Sequence, residues 1–223
     1  MKTLSMLIIS STLLAQTKSF VTYEEVSSKE SGITYYDQFI IKRDNPVVRV
    51  NDKGKPINGM VIDKYKTGGV VHRGFYQDGK LTYFVNYYPN GNLERVYKQL
   101  DPKKSRVKVF YASGGVKSDV LYIHNAALKW KDYYENGQLS FYEEFNKDFS
   151  CHVLKVSYYQ NGKIESKLER VKKYKFVQTE FFESGKLKSK GELRYNRFTF
   201  DYEEVGNWLY FLPDGTRTTQ PLS

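Results

Sequence analysis

One short turn motif returns along this chain at an almost constant interval, and it constrains the fold more than any other feature. It begins as Phe75-Tyr76-Gln77-Asp78-Gly79-Lys80-Leu81, recurs at 87–93, 110–116, 133–139, 158–164 and 181–187, and ends in worn form at 211–217. The turn glycines are Gly79, Gly91, Gly114, Gly137, Gly162, Gly185 and Gly215, so the steps are 12, 23, 23, 25, 23 and 30. A fixed period of this size marks a repeat array, in which each unit is too small to bury a core alone. The steps of 12, 25 and 30 read as a deletion and insertions.

The residue before each glycine is Asp78, Asn90, Ser113, Asn136, Asn161, Ser184 or Asp214. Asn-Gly and Asp-Gly tolerate positive φ at both central turn positions, which joins twisted antiparallel strands. Each motif therefore reads as a β-hairpin. With a two-residue loop, Tyr76 pairs with Leu81, Tyr88 with Leu93, Tyr111 with Val116, Tyr134 with Leu139, Tyr159 with Ile164 and Phe182 with Leu187. That set lies on one face, which reads as buried. A second aromatic column, four residues before each glycine, is Phe75, Tyr87, Phe110, Tyr133, Tyr158, Phe181 and Phe211. The same register sets it opposite Thr82, Glu94, Lys117, Ser140, Glu165, Lys188 and Thr218, on an amphipathic face. A bulged turn would shift the columns against each other. Isolated hairpins are marginal in water, so neighbours must pair edge to edge.

The fold class expected is all-β: tandem antiparallel β-hairpins in one elongated twisted repeat sheet. Aromatic residues reach 16%, with 20 Tyr, while hydrophobic residues total 40%. That balance suits a thin sheet, because Tyr buries its ring and keeps its hydroxyl hydrated. Residues 1–19 read as a signal peptide: Met1-Lys2, a 12-residue apolar run from Leu4 to Ala15, then polar residues. Residues 20–50 read as irregular lead-in strands, with Tyr35-Tyr36 and Phe39-Ile40-Ile41 as strand candidates. The array occupies 51–218, with Gly54 in a worn first repeat, and 219–223 form a tail. The export signal implies a periplasmic or secreted protein, with no transmembrane span in the mature chain.

The unit Tyr-Tyr-x-Asn-Gly-x-Leu at a 23-residue spacing resembles the MORN-variant repeat, the bacterial relative of the membrane occupation and recognition nexus repeat. The nearest copies are 87–93, 133–139, 158–164 and 181–187. Gly206-Asn207-Trp208-Leu209-Tyr210-Phe211 also resembles the family's Gly-x-Trp-x-Tyr strand. The resemblance spans about residues 51–218. It implies tandem hairpins, a bacterial source, and interaction rather than catalysis. Some bacterial members carry an antitoxin label, and eukaryotic relatives are linked to phospholipids and protein scaffolding. The family defines no catalytic residue.

The residues agree with a non-enzymatic reading. His72, His124 and His152 form no metal-ligand spacing, and the single cysteine, Cys151, allows neither a thiolate zinc site nor an internal disulfide. Adjacent strand residues diverge, so Cys151-His152 and the pairs Glu24-Glu25, Glu143-Glu144 and Glu203-Glu204 are poor catalytic couples. No cofactor is expected. The formal net charge is +10, and residues 163–197 hold eleven Lys or Arg against five Glu. Such an excess attracts anionic partners.

Three functions follow. The first is a protein-interaction or scaffolding module of the envelope or exterior, with Tyr87, Tyr133, Tyr158 and Phe181 as anchors, because aromatics dominate interface energetics. The second is binding of anionic lipid or envelope polysaccharide through the 163–197 face, including Lys172, Lys173, Lys175, Lys186, Lys188 and Lys190. The third is carbohydrate recognition around 208–215, similar to cell-wall choline- or glucan-binding repeats. Nucleic acid ranks below these for an exported chain. A cytoplasmic location would raise it and favour an antitoxin-like role.

Overall fold

The structure is a computed structural model that describes residues 20–21 and 48–219. The signal segment 1–19, the strand candidates at 35–41 and the last residues of the tail lie outside the described residues. Every regular element described is a strand: β1 (Phe20–Val21), β2 (Gly59–Tyr65), β3 (Val70–Gln77), β4 (Lys80–Tyr87), β5 (Leu93–Asp101), β6 (Lys104–Phe110), β7 (Val116–Ile123), β8 (Ala126–Tyr133), β9 (Leu139–Phe145), β10 (His152–Tyr158), β11 (Ile164–Lys172), β12 (Lys175–Phe181), β13 (Leu187–Asn196), β14 (Asp201–Phe211) and β15 (Arg217–Thr218). They form one sheet in strictly sequential order. β2 through β15 are antiparallel neighbours, whereas β1 joins β2 in parallel. At roughly 4.8 Å per strand the sheet extends for about 65 Å.

Because the order is sequential, turns alternate between the two edges of the sheet. One edge carries the loops centred on Gly68, Gly91, Gly114, Gly137, Gly162, Gly185 and Gly215, each with positive φ. Their steps are 23, 23, 23, 25, 23 and 30. Gly68 is the true first member of this series, and Gly79 lies at the opposite edge. The step of 12 from Gly79 to Gly91 is therefore half a repeat and not a deletion. Gly54 belongs to neither series. It closes a turn in which its amide donates to the Asn51 carbonyl at 2.9 Å, next to the bridge between Val50 and Pro56.

The register differs from the two-residue-loop expectation at six of the seven motifs. Only the Asp78-Gly79 turn (φ 49° and 74°) is a two-residue loop, and there Tyr76 pairs with Leu81. At the other edge the loops are longer. The Gly91 amide donates to the Tyr88 carbonyl, and the Tyr88 amide donates to the Asn92 carbonyl. This is a turn followed by a left-handed glycine, a common three-residue hairpin loop. Asn explains itself here, since Asn90, Asn136 and Asn161 Oδ1 each accept the amide two residues on, at 3.0 Å.

The extra loop residue moves the partner. Leu93, Val116, Leu139, Ile164 and Leu187 pair with Tyr87, Phe110, Tyr133, Tyr158 and Phe181, the column four residues before glycine. The next residue, Glu94, Lys117, Ser140, Glu165 or Lys188, is skipped as a β-bulge. Thr82 is skipped likewise, and Phe75 pairs with Tyr83. A bulge at every repeat adds local twist and bends the sheet.

The two faces are now unequal in a defined way. The inner face carries the cores. Phe84, Tyr97, Val107, Val120 and Tyr122 form the central cluster, with Trp130 packed against it. Ile57, Val61 and Tyr76 form a cluster at the N-terminal end. Cys151, Leu168 and Phe176 form another with Tyr202 and Leu193, so Cys151 is a buried free thiol packed as a small apolar side chain. The tyrosines three residues before glycine tie each repeat to the next. Tyr65, Tyr88, Tyr111, Tyr134 and Tyr159 donate their hydroxyls to the carbonyls of Tyr87, Phe110, Tyr133, Tyr158 and Phe181 at 2.5–2.8 Å. Phe182 occupies the sixth such position and lacks the hydroxyl.

Candidate interaction surfaces

The predicted anchors Tyr87, Tyr133, Tyr158 and Phe181 are brought together. They stand one per repeat, on β4, β8, β10 and β12, in a single row along the glycine-loop edge of the outer face. Phe110 completes the row on β6. The intervening strands insert Leu93, Val116, Leu139, Ile164 and Leu187, so aromatic and aliphatic side chains alternate across ten strands. All five aromatics are half-buried. Each ring is supported by its neighbours and offers one side to solvent.

Beside this row the outer face is a lattice of ion pairs. Arg106 makes a two-point contact with Asp119 at 2.6 and 2.5 Å, Lys129 meets Glu144 at 3.0 Å, and Lys167 meets Glu169 at 2.7 Å. Tyr142 donates to Glu144 at 2.5 Å. Its phenol is pushed up to about 12, first by desolvation and then by that carboxylate. Such exposed pairs contribute little stability, about 0–1 kcal/mol each, but they fix which side chains flank the aromatic row.

The six predicted lysines are not one patch. Strands of 7–10 residues separate the two edges by roughly 25 Å, and alternation sends neighbours to opposite faces. Lys172, Lys173 and Lys175 surround the β11–β12 turn at one edge. Lys186 lies at the other edge and donates to the carbonyls of Pro213 and Asp214 at 3.1 and 3.2 Å. Lys188 is a bulge residue 3.9 Å from Glu180. Lys190 stands on the outer face between Thr179 and Leu209.

The first three lysines acquire neighbours that sequence reasoning missed. β13 and β14 run past the edge of the sheet, and the Tyr195 amide still finds the Tyr174 carbonyl at 2.9 Å. The loop between them presents Phe198 and Phe200, 94% and 78% exposed. Arg194 pairs with Lys175, and the Arg197 guanidinium lies 5.7 Å from the Tyr174 ring centre, with Lys173 at 5.3 Å from the same ring. Two protruding aromatics thus stand beside five cations. The long 30-residue step was the available signal, because the extra residues had to extend one hairpin.

A buried polar cluster at the N-terminal end was also missed. Arg49 donates to both oxygens of Asp63 at 2.7 Å and to the Tyr76 hydroxyl at 3.3 Å. Tyr76 lies 3.1 Å from His72 Nε2, and His72 Nδ1 lies 2.7 Å from Asn86 Oδ1. Burial lowers His72 to about 4, and burial raises Glu94 to about 7, with Asn86 offsetting part of the latter. Burial opposes the Arg49 charge, yet Asp63 outweighs it and raises its pKa. His124 sits in the β7–β8 turn with φ 49°, and His152 faces the Tyr202 hydroxyl at 2.8 Å. Among the described residues no three His, Cys, Asp or Glu side chains converge as a metal site. No helix there is long and apolar enough to cross a membrane.

The geometry meets a family at the C-terminal half of the array. Residues 128–147, 152–172 and 177–194 match the MORN repeat variant. The matched segments cover β8–β9, β10–β11 and β12–β13, each one glycine-loop hairpin. A solved structure of a protein of unknown function from Bacteroides fragilis NCTC 9343 is 14% identical, covering 61% of this chain and 88% of that one, with a TM-score of 0.16. No curated protein matches the chain. MORN repeats are generally protein- or membrane-binding modules. Residues 128–194 are three tandem repeats of the MORN variant family, set in one all-strand sheet whose other hairpins repeat the same geometry.

Proposed function

We propose that this is a non-enzymatic exported repeat protein that holds a protein partner along the aromatic row of its outer face, as an interaction or scaffolding module of the bacterial envelope or exterior. The observation that carries the reading is the row itself. Five half-buried aromatics alternate with aliphatics across ten strands and have a solvent side left to cover. Aromatic anchors ringed by polar groups are the usual anatomy of a protein interface. The apolar run of residues 4–15 supports export. The test is Tyr133→Ala with Tyr158→Ala. Two cross-strand pairs are weakened, at about 0.2–1 kcal/mol each, so the sheet survives while partner capture from envelope fractions fails. Capture unchanged in the double variant, or a chain that no longer folds, would remove the row from the interface.

A second reading, an anionic membrane surface as ligand, is favoured by the Phe198–Phe200 tip. Exposed aromatics enter the headgroup region, and Lys172, Lys173, Lys175, Arg194 and Arg197 would each add about 1 kcal/mol of attraction near an anionic leaflet. Flotation with phosphatidylglycerol vesicles decides it. Binding should weaken in high salt and fail in Phe198→Ser/Phe200→Ser. Retention unchanged by salt and by both substitutions would exclude this tip.

A further inference from the structure

We propose that the inner face carries a saccharide-binding groove centred on Trp130, best fitted to N-acetylated amino sugars, which meets the outer row only at Tyr133 on its rim and lies apart from the Phe198–Phe200 tip. The groove has a volume of about 550 Å³, lies over β6–β8 and opens toward the glycine-loop edge. Two cross-strand rows floor it. One is Val107–Val120–Trp130 and the other is Val109–Ser118–Asp132.

Five aromatic residues line the groove, Tyr111, Tyr122, Trp130, Tyr133 and Tyr134, and three of them have the polar end already tied. Tyr111 donates to the Tyr133 carbonyl at 2.6 Å, Tyr134 to the Tyr158 carbonyl at 2.5 Å, and Trp130 Nε1 to Asp132 Oδ1 at 2.6 Å. What these residues offer a ligand is therefore ring surface, fixed before binding. The C–H faces of a pyranose fit such platforms, and rings fixed in advance lower the ordering cost of association. Lys117 reaches over the Tyr111 ring at 5.7 Å and adds a donor at the rim, where Ser140 also stands.

Ser118 selects among ligands. It is 7% exposed, it lines the groove, and its hydroxyl has no hydrogen-bond partner among the described residues. A buried hydroxyl without a partner is costly and asks for one. An apolar peptide side chain seated on the same valines would seal Ser118 unpaired. A sugar brings donors and acceptors to every edge. An acetamido group adds a methyl for Val107, Val109 and Val120 and an amide for Ser118 or Asp132. Neighbouring inner-face positions show why the groove is local. The row continues from Asp132 to Phe141, so a bulky ring stands in the next repeat at the position Ser118 holds here.

The chain has two tryptophans, so Trp208→Phe leaves Trp130 as the only indole. Its indole N–H resonance then reports on the groove. Titration with the N-acetylglucosamine trimer should move that resonance saturably, at least about tenfold more tightly than a glucose trimer or a capped Val-Leu peptide. Ser118→Ala should weaken the trimer about fivefold or more while the thermal midpoint of the free protein stays the same or rises, and Lys117→Ala should weaken it at the rim. No shift at millimolar trimer, equal binding by Ser118→Ala, or binding by the peptide alone would overturn the assignment. Equal affinity for both sugars would overturn the N-acetyl preference.

Discussion

Removing one tyrosine hydroxyl from the inter-repeat series should loosen a single joint of the array. Tyr134→Phe deletes the donor that reaches the Tyr158 carbonyl at 2.5 Å and leaves the ring in place. The joint spans β8 to β10, and its carbonyl is only part-buried, so water replaces part of the bond. The net loss should be about 0.5–1.5 kcal/mol. For a sheet of this size that is about 1–6 °C in thermal midpoint. Because repeats touch mainly their neighbours, the effect should be local. Hydrogen exchange should quicken in β9–β10 and stay unchanged in β3–β5 and β13–β14. Tyr111→Phe should produce the same loss one repeat earlier, and the two together should approach additivity. Phe182→Tyr is the converse control. The step to the next loop glycine is 30 residues there instead of 23–25, so the added hydroxyl should gain little. A change below about 0.3 kcal/mol in Tyr134→Phe, or uniform exchange across the sheet, would refute the hydroxyl series as the inter-repeat tie.

Acid sensitivity should be hidden in the native chain and exposed by Glu94→Gln. His72 falls to about 4 from 6.5, so its stability contribution is present above 6.5 and is lost as pH falls toward 4. Glu94 rises to about 7 from 4.5, so its contribution is full below 4.5 and is lost as pH rises through 7. The slopes oppose each other between pH 4.5 and 6.5. Each shift corresponds to about 3 kcal/mol, so urea midpoints should be nearly flat in the native chain and fall steeply with acid in Glu94→Gln. A flat variant would contradict this coupling. Arg49→Met should cost about 3–5 kcal/mol by taking the two-point guanidinium contact away from the buried Asp63 carboxylate, read as early melting of β2–β4 by exchange. Gly191→Ala places a Cβ 2.1 Å from the Trp208 ring, so something must shift, and the expected outcome is that the indole is pushed off the inner face. A red-shifted fluorescence component and a loss of about 1–3 kcal/mol should follow, and an unshifted spectrum would argue that the neighbouring backbone yields instead.

The period and the Asn-Gly turns made the all-strand array legible from sequence. The register was not legible, because Asn-Gly serves both a two-residue and a three-residue loop, and side-chain columns change faces with one residue. Gly68 escaped because Lys66-Thr67 precede it where later repeats have Asn, Ser or Asp before the glycine. Gly79 was grouped with the others because an Asp-Gly turn looks alike at either edge; only its half-period distance from Gly91 sets it apart. The outer row of Tyr87, Tyr133, Tyr158 and Phe181 could be found by counting, since its members recur at fixed offsets from glycine. The Arg49–Asp63–Tyr76–His72–Asn86 cluster could not be found that way. Its members come from the lead segment and three strands, although His72 and Asn86 lie symmetrically about Gly79. The lysines of 163–197 show the opposite failure, since closeness in sequence spread them over two edges and two faces.

The most direct test of the central claim compares the native chain with Tyr133→Ala/Tyr158→Ala in crosslinked capture from fractionated cells, with a melting curve for each. The account predicts one specific protein, recovered from the envelope or medium through a high-salt wash, lost in the double variant, with both chains folded. Equal recovery by the two chains, or recovery from the cytosol alone with the first 15 residues still attached, would contradict it.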